Sequence, residues 1–170
     1  MMCIILLIPF SEFRPNDYDG FCTYLGEKIP RNRLPAMSDM LWQKFIETFA
    51  ELFANAATHS ETRYTVACGQ AFPNYKRLNF SIADAGIGFK NRLIQSNVTL
   101  NGITSDDERF CVDAIEWALQ EGSSTKKDIS GGLGMYLLRQ FNCINGGKLQ
   151  IASDRGYWEL RHGKVEKKIL

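Results

Sequence analysis

The chain is 170 residues long, 45% hydrophobic and 23% charged, a balance that fills one ordinary core and leaves little room for a second domain. Twenty lysines and arginines against nineteen acids leave a net charge of +1. That argues against a protein that holds nucleic acid by phosphate neutralisation, which needs a basic excess or a basic stripe. The five cysteines (Cys3, Cys22, Cys68, Cys111 and Cys143) are odd in number, far apart and form no CxxC or Cys/His cluster. They predict neither a disulfide framework nor a zinc site, but small core residues in a reducing compartment.

The opening run, Met2 to Ile8, is apolar but lacks the basic flank and small-residue cleavage site of a secretory signal, and it ends at Pro9. It is also too short for a bilayer span, which takes about 20 apolar residues. The expectation is a buried strand at the edge of a sheet in a cytoplasmic protein with no membrane partner. Asp17 to Ile29 has weak helical spacing through Tyr18, Phe21, Cys22, Leu25 and Ile29, and Pro30 to Pro35 reads as a loop because two prolines interrupt it. Ser38 and Asp39 are N-cap candidates for the strongest helix, Met40 to Thr58, which contains neither Gly nor Pro and repeats Leu41, Phe45, Phe49, Leu52, Phe53 and Ala56 at three- and four-residue steps.

Arg63 to Phe72 and Arg77 to Ala83 read as strands joined by a turn at Pro73, Asn74 and Tyr75. Residues 89 to 105 have no clear period. Asp106 or Asp107 caps a predicted helix that runs through Gln120 and carries Val112, Ile115, Trp117 and Leu119. Gly122 to Gly132 is small, polar and glycine-rich, a mobile loop, and Leu133 to Phe141 is a short helix. Leu149 to Ser153 and Tyr157 to Arg161 are two final strands around a turn at Asp154 to Gly156. The tail Gly163 to Leu170 is left to pair with the sheet edge of a second copy, as in a homodimer. This order predicts one α+β domain over residues 1–170, a two-layer α/β sandwich with helices on one face of a mixed, mostly antiparallel sheet.

Three groups of residues carry chemistry. Glu51, Asn55 and His59 recur at i, i+4 and i+8 on the long helix and project along one side of it, drifting about 40° per step. A carboxylate and an amide one turn apart can hold a hydrated Mg²⁺, which keeps waters and takes phosphate oxygens for the rest of its shell. Glu51 can also accept a proton from an attacking water or hydroxyl. The plain alternative is a solvated helix face. Asp84-Ala85-Gly86-Ile87-Gly88 ends a strand: the aspartate can accept from an exocyclic amine, and the glycines let backbone approach a ligand. Asp and Gly also favour such turns for backbone reasons alone. Ser130-Gly131-Gly132-Leu133-Gly134 leads into a helix and exposes free N–H groups suited to phosphate, without matching the Walker or Rossmann spacing; a flexible connector is its plain alternative.

Taken in order, an ExxxNxxxH helix, a strand ending in DxGxG, a loop and a GGLG helix start resemble the N, G1 and G2 boxes of the gyrase, heat-shock chaperone, histidine kinase and MutL (GHKL) ATPases. The resemblance covers roughly Leu41 to Arg161 and is nearest in size to the anti-sigma serine kinases. It implies the Bergerat ATP-binding fold, with ATP and Mg²⁺ as cofactors. Asn55 then binds the Mg²⁺ that bridges the phosphates, Glu51 orients or deprotonates the nucleophile, and Asp84 accepts the adenine amino group. Gly86 and Gly88 shape the adenine pocket, while Gly131, Gly132, Leu133 and Gly134 meet the phosphates at the hinge of the lid. Lys126 and Lys127 in that lid, and His59 on the helix, are placed near the phosphates.

Two departures narrow the resemblance. No histidine precedes the N-box helix, so the phospho-acceptor segment of an orthodox sensor kinase is absent, and the chain stops before the transducer domain of the gyrase and MutL relatives. Two functions remain open, beside the plainer reading of a structural α+β domain with a degenerate pocket. One is an ATPase or kinase-like signalling module that transfers phosphoryl to a regulatory protein partner. The other is a non-catalytic switch whose lid changes shape on nucleotide binding.

Overall fold

The computed structural model describes residues 5–34, 36–59, 61–100, 102–123, 125 and 134–170, with Thr58 and His59 as backbone only. The chain divides into two compact units, Met1–Gly86 and Ile87–Leu170. Both are α+β, and every strand pairing among the described residues is antiparallel.

In the first unit, β1 (Leu6–Phe13), β2 (Thr65–Phe72) and β3 (Arg77–Asp84) form a three-stranded sheet in that order. The helices α1 (Tyr18–Lys28) and α2 (Asp39–His59) pack on one face of it. The sequence gives α1 its start through Asp17, whose carboxylate accepts from the Gly20 N–H at 3.2 Å. Of the two cap candidates for α2, Ser38 fills the role: its hydroxyl accepts from the Leu41 N–H at 3.2 Å, and Asp39 becomes the first helical residue. The apolar stripe of α2 then meets α1 and the sheet through rings. Phe53 stacks on Phe21 at 4.5 Å and meets Phe13 edge-on at 5.9 Å, while Phe49 meets Phe80 at 4.9 Å. Each such pair adds about 0.5–1.5 kcal/mol beyond burial alone. The opposite face of this sheet is exposed at Leu7, Cys68, Gln70, Asn79 and Ser81.

Strand β1 runs five residues further than the apolar opening run. A break in register between Ile8 and Ser11 takes up Pro9 and Phe10, so the proline interrupts the ladder without ending the strand. The Tyr24 hydroxyl donates to the Pro9 carbonyl at 2.7 Å and pins this irregular point to α1.

In the second unit, β4 (Lys148–Ser153), β5 (Gly156–Arg161) and β6 (Lys164–Ile169) form the other three-stranded sheet. Helices α3 (Gly88–Gln95), α4 (Phe110–Ala118) and α5 (Gly134–Ile144) belong to this unit. In this unit Trp158 and Leu160 of β5, at 0% and 2% exposure, are buried, as are Ile115 and Leu119. Neither Asp106 nor Asp107 caps α4: its N-cap is Arg109, with no side-chain cap bond, while Asp107 accepts from the Arg109 N–H at 2.8 Å ahead of the helix, which ends at Ala118, two residues short of Gln120. Helix α3 lies in the stretch that had no period.

Residues Lys164–Ile169 form β6 and pair with β5 of the same chain, through a two-residue turn in which His162 and Gly163 take φ of 50° and 74°. Lys167 of β6 reaches α4, forming ion pairs with Asp113 at 3.3 Å and with Glu116. Among the described residues no helix is long and apolar enough to cross a membrane.

Candidate functional site

Helix α2 is unbroken through His59, so the four-residue spacing of Glu51, Asn55 and His59 is helical spacing. At about 100° per residue, Glu51 and Asn55 point away from the side that carries Phe53 into the core. Both are nonetheless half-buried and do not form a fully solvated face. Glu51 lies within electrostatic reach of the start of α1. The Tyr18 phenol there is pushed up first by burial, then by the Cys22 thiol, then by the Glu47 and Glu51 carboxylates. The His59 side chain lies outside the described residues.

Asp84 is the last residue of β3 and is exposed. One of its carboxylate oxygens accepts from the Gly86 N–H at 2.8 Å, a local turn that holds the side chain at the strand's exit. Across the sheet, Asp84 is directly opposite Thr65, which is directly opposite Phe13. Directly opposed residues share a face, so the three form one row on the helix-covered side, where Phe13 meets Phe53 of α2. Thr65 is fully buried, and its hydroxyl has no hydrogen-bond partner among the described residues. An unsatisfied buried hydroxyl costs about 1–3 kcal/mol. No local sequence signal marks this threonine, because a β-branched residue at the start of a strand is ordinary.

In the second unit, Gly88 has φ of +73°, as a ligand-approach glycine would, but its neighbours give a local reason for it. A Cβ there would stand 2.8 Å from the Ser153 hydroxyl oxygen, and that same oxygen accepts from the Phe89 N–H at 3.0 Å. The start of α3 is thus tied to the end of β4. Gly134 is buried and is the first residue of α5, so the glycine-rich run ends where a helix begins. Lys126, Lys127, Gly131, Gly132 and Leu133 lie outside the described residues.

A shallow cavity of about 240 Å³ lies within the second unit, lined by residues that include Lys90, Asp106, Glu108, Asp154 and Arg155. None of the expected site residues lines it, and its Arg155 and Glu108 already pair with each other at 2.8 Å. Among the described residues, no group of three or more His, Cys, Asp or Glu side chains can hold a metal by itself. Glu51 and Asn55 offer side-chain oxygens from one helix face, a set that suits only an ion bringing waters and phosphate oxygens of its own. Comparison of the chain with protein-family models, with curated proteins and with solved structures finds no match.

Proposed function

We propose that this chain is a cytoplasmic, Mg²⁺-dependent ATP-binding domain of the GHKL type, with the two-layer Bergerat arrangement, that hydrolyses ATP or transfers its phosphoryl group to a partner protein. The observation that carries this reading is the agreement between motif and element at three successive points. The ExxxNxxxH residues fall on an uninterrupted helix, the aspartate of DxGxG ends a strand and turns back on Gly86, and the last glycine of GGLG opens a helix. Each is the local geometry the corresponding chemistry needs.

In this reading the Asn55 side-chain oxygen holds Mg²⁺, which neutralises phosphate charge when bound. The Asp84 carboxylate accepts from the amino group of adenine. Glu51 accepts the proton of the attacking water or hydroxyl. The reading is tested by titrating the protein with ATP in Mg²⁺ and again in EDTA, for wild type, Asn55→Ala and Asp84→Asn. Binding that needs Mg²⁺ and weakens in both variants is expected. A folded wild type that binds no ATP at millimolar concentration would sink it.

The second reading is a nucleotide-dependent binding switch with little turnover. Glu51→Gln separates the two: a sharp fall in turnover with affinity kept supports catalysis, and no turnover in wild type supports the switch.

A further inference from the structure

We propose that Thr65 is a positioning residue for Asp84: its hydroxyl, which has no partner among the described residues, turns to donate to that carboxylate when nucleotide binds and so holds it for the amino group of the nucleobase. The inference rests on the nucleotide reading above and adds to it a residue that belongs to none of the three motifs. Two independent observations meet at this point. Thr65 is fully buried with its hydroxyl unpartnered among the described residues, and it is directly opposite Asp84 in the β2–β3 register.

Valine has nearly the shape of threonine and suits a buried strand position without leaving a polar atom to satisfy. A threonine here therefore brings a hydroxyl that the described fold does not use. Cβ atoms of directly opposed residues stand about 4.5–5.5 Å apart. Rotation about the one side-chain bond of threonine carries its hydroxyl between staggered positions, and one O–H···O bond spans the remaining gap.

The Asp84 carboxylate already takes the Gly86 N–H on one oxygen. A hydroxyl on its other oxygen fixes the plane of the group and leaves acceptor sites directed at the ligand. A carboxylate fixed in this way accepts an amine donor, as adenine presents, and opposes the carbonyl oxygen that guanine presents in the same place. Thr65 acts through Asp84 and does not itself need to touch the ligand.

The test measures ATP and GTP affinity by calorimetry in Mg²⁺ for the full chain, Thr65→Val and Thr65→Ser, with thermal melting of each protein in the absence of nucleotide. Thr65→Val is expected to melt no lower than wild type while binding ATP roughly tenfold more weakly, the worth of one hydrogen bond to a charged group. GTP affinity should hardly change, so the preference for ATP shrinks; Thr65→Ser should restore it. A merely structural role would move the melting temperature and leave the ATP-to-GTP ratio alone. If Thr65→Val does not melt cooperatively, Thr65→Ala takes its place against Thr65→Ser, and only serine should keep the preference. A folded valine variant with wild-type ATP affinity overturns this inference and leaves the nucleotide reading standing. A wild type that binds no ATP overturns both.

Discussion

The two units solve one packing problem in different ways. Both lay helices on a three-stranded antiparallel sheet, but in the first unit rings fill the space between helix and sheet, with Phe21, Phe53 and Phe13 in mutual contact and Phe49 on Phe80. In the second, α4 comes so close to β5 that backbone meets backbone. A Cβ on Gly156 would stand 2.7 Å from the Cys111 carbonyl oxygen and 3.1 Å from the Val112 nitrogen. Side-chain packing can relax by rotamer changes when one partner is altered, whereas close backbone approach admits one residue type only. The first arrangement should fail by losing volume and the second by gaining it.

Phe53→Ala should therefore have the largest effect, a loss of about 3–5 kcal/mol in urea unfolding, because a fully buried ring shared by α1, α2 and β1 leaves a cavity. Gly156→Ala follows, at roughly 1–3 kcal/mol, although it only adds a methyl group. A neutral Gly156→Ala would break the contrast, since α4 would then not depend on the close approach.

Tyr24→Phe comes next, at about 0.5–1.5 kcal/mol for the lost bond to the Pro9 carbonyl. The same residue gives the first unit an alkaline limit. Burial first, then Cys68, pushes the Tyr24 phenol from 10.0 up to about 12. Its contribution is complete below the unfolded value and is lost as pH rises through the folded one. Spectrophotometric titration should show one tyrosine ionising about two pH units late.

The smallest effect belongs to the second unit. Bonds from the Arg109 guanidinium and N–H hold the Asp107 carboxyl at about 2 instead of 3.8. This contribution is present above the unfolded value and lost as pH falls through the folded one. A carboxyl NMR titration should place the Asp107 midpoint near 2 and move it upward in Arg109→Gln; a midpoint unchanged by that substitution would dissolve the pairing.

These contrasts bear on what could be read from the chain itself. Helix α2 and the β2–β3 hairpin were legible because their signals are local: a 3.6-residue apolar period, a serine cap, and a proline turn. Strand β1 was legible only up to Pro9, since a bulge that absorbs a proline depends on the neighbouring strand. Helix α3 escaped because it makes about two turns and buries only Leu93. Strand β6 escaped because all six of its residues are exposed, so no alternation of apolar residues marks it; the His162-Gly163 turn was its one local sign. The candidate site divides along the same line. Glu51, Asn55, Asp84 and the glycines stand out by spacing, whereas Thr65 acquires meaning only from the register that sets it opposite Asp84. Gly88, read as a ligand glycine, has a sufficient local reason in Ser153.

The irregularity in β1 has a consequence for self-assembly. Leu7 and Phe10 are 73% and 66% exposed on a strand that lies at one edge of its sheet among the described residues, the kind of surface on which fibrils nucleate. A fibril grows by copying an uninterrupted hydrogen-bond ladder, and this edge has none to copy. Its regular register breaks between Ile8 and Ser11, and Pro9 between them has no N–H to offer. The fold thus carries two apolar side chains on a backbone that cannot act as a template, and Pro9→Val would remove that safeguard.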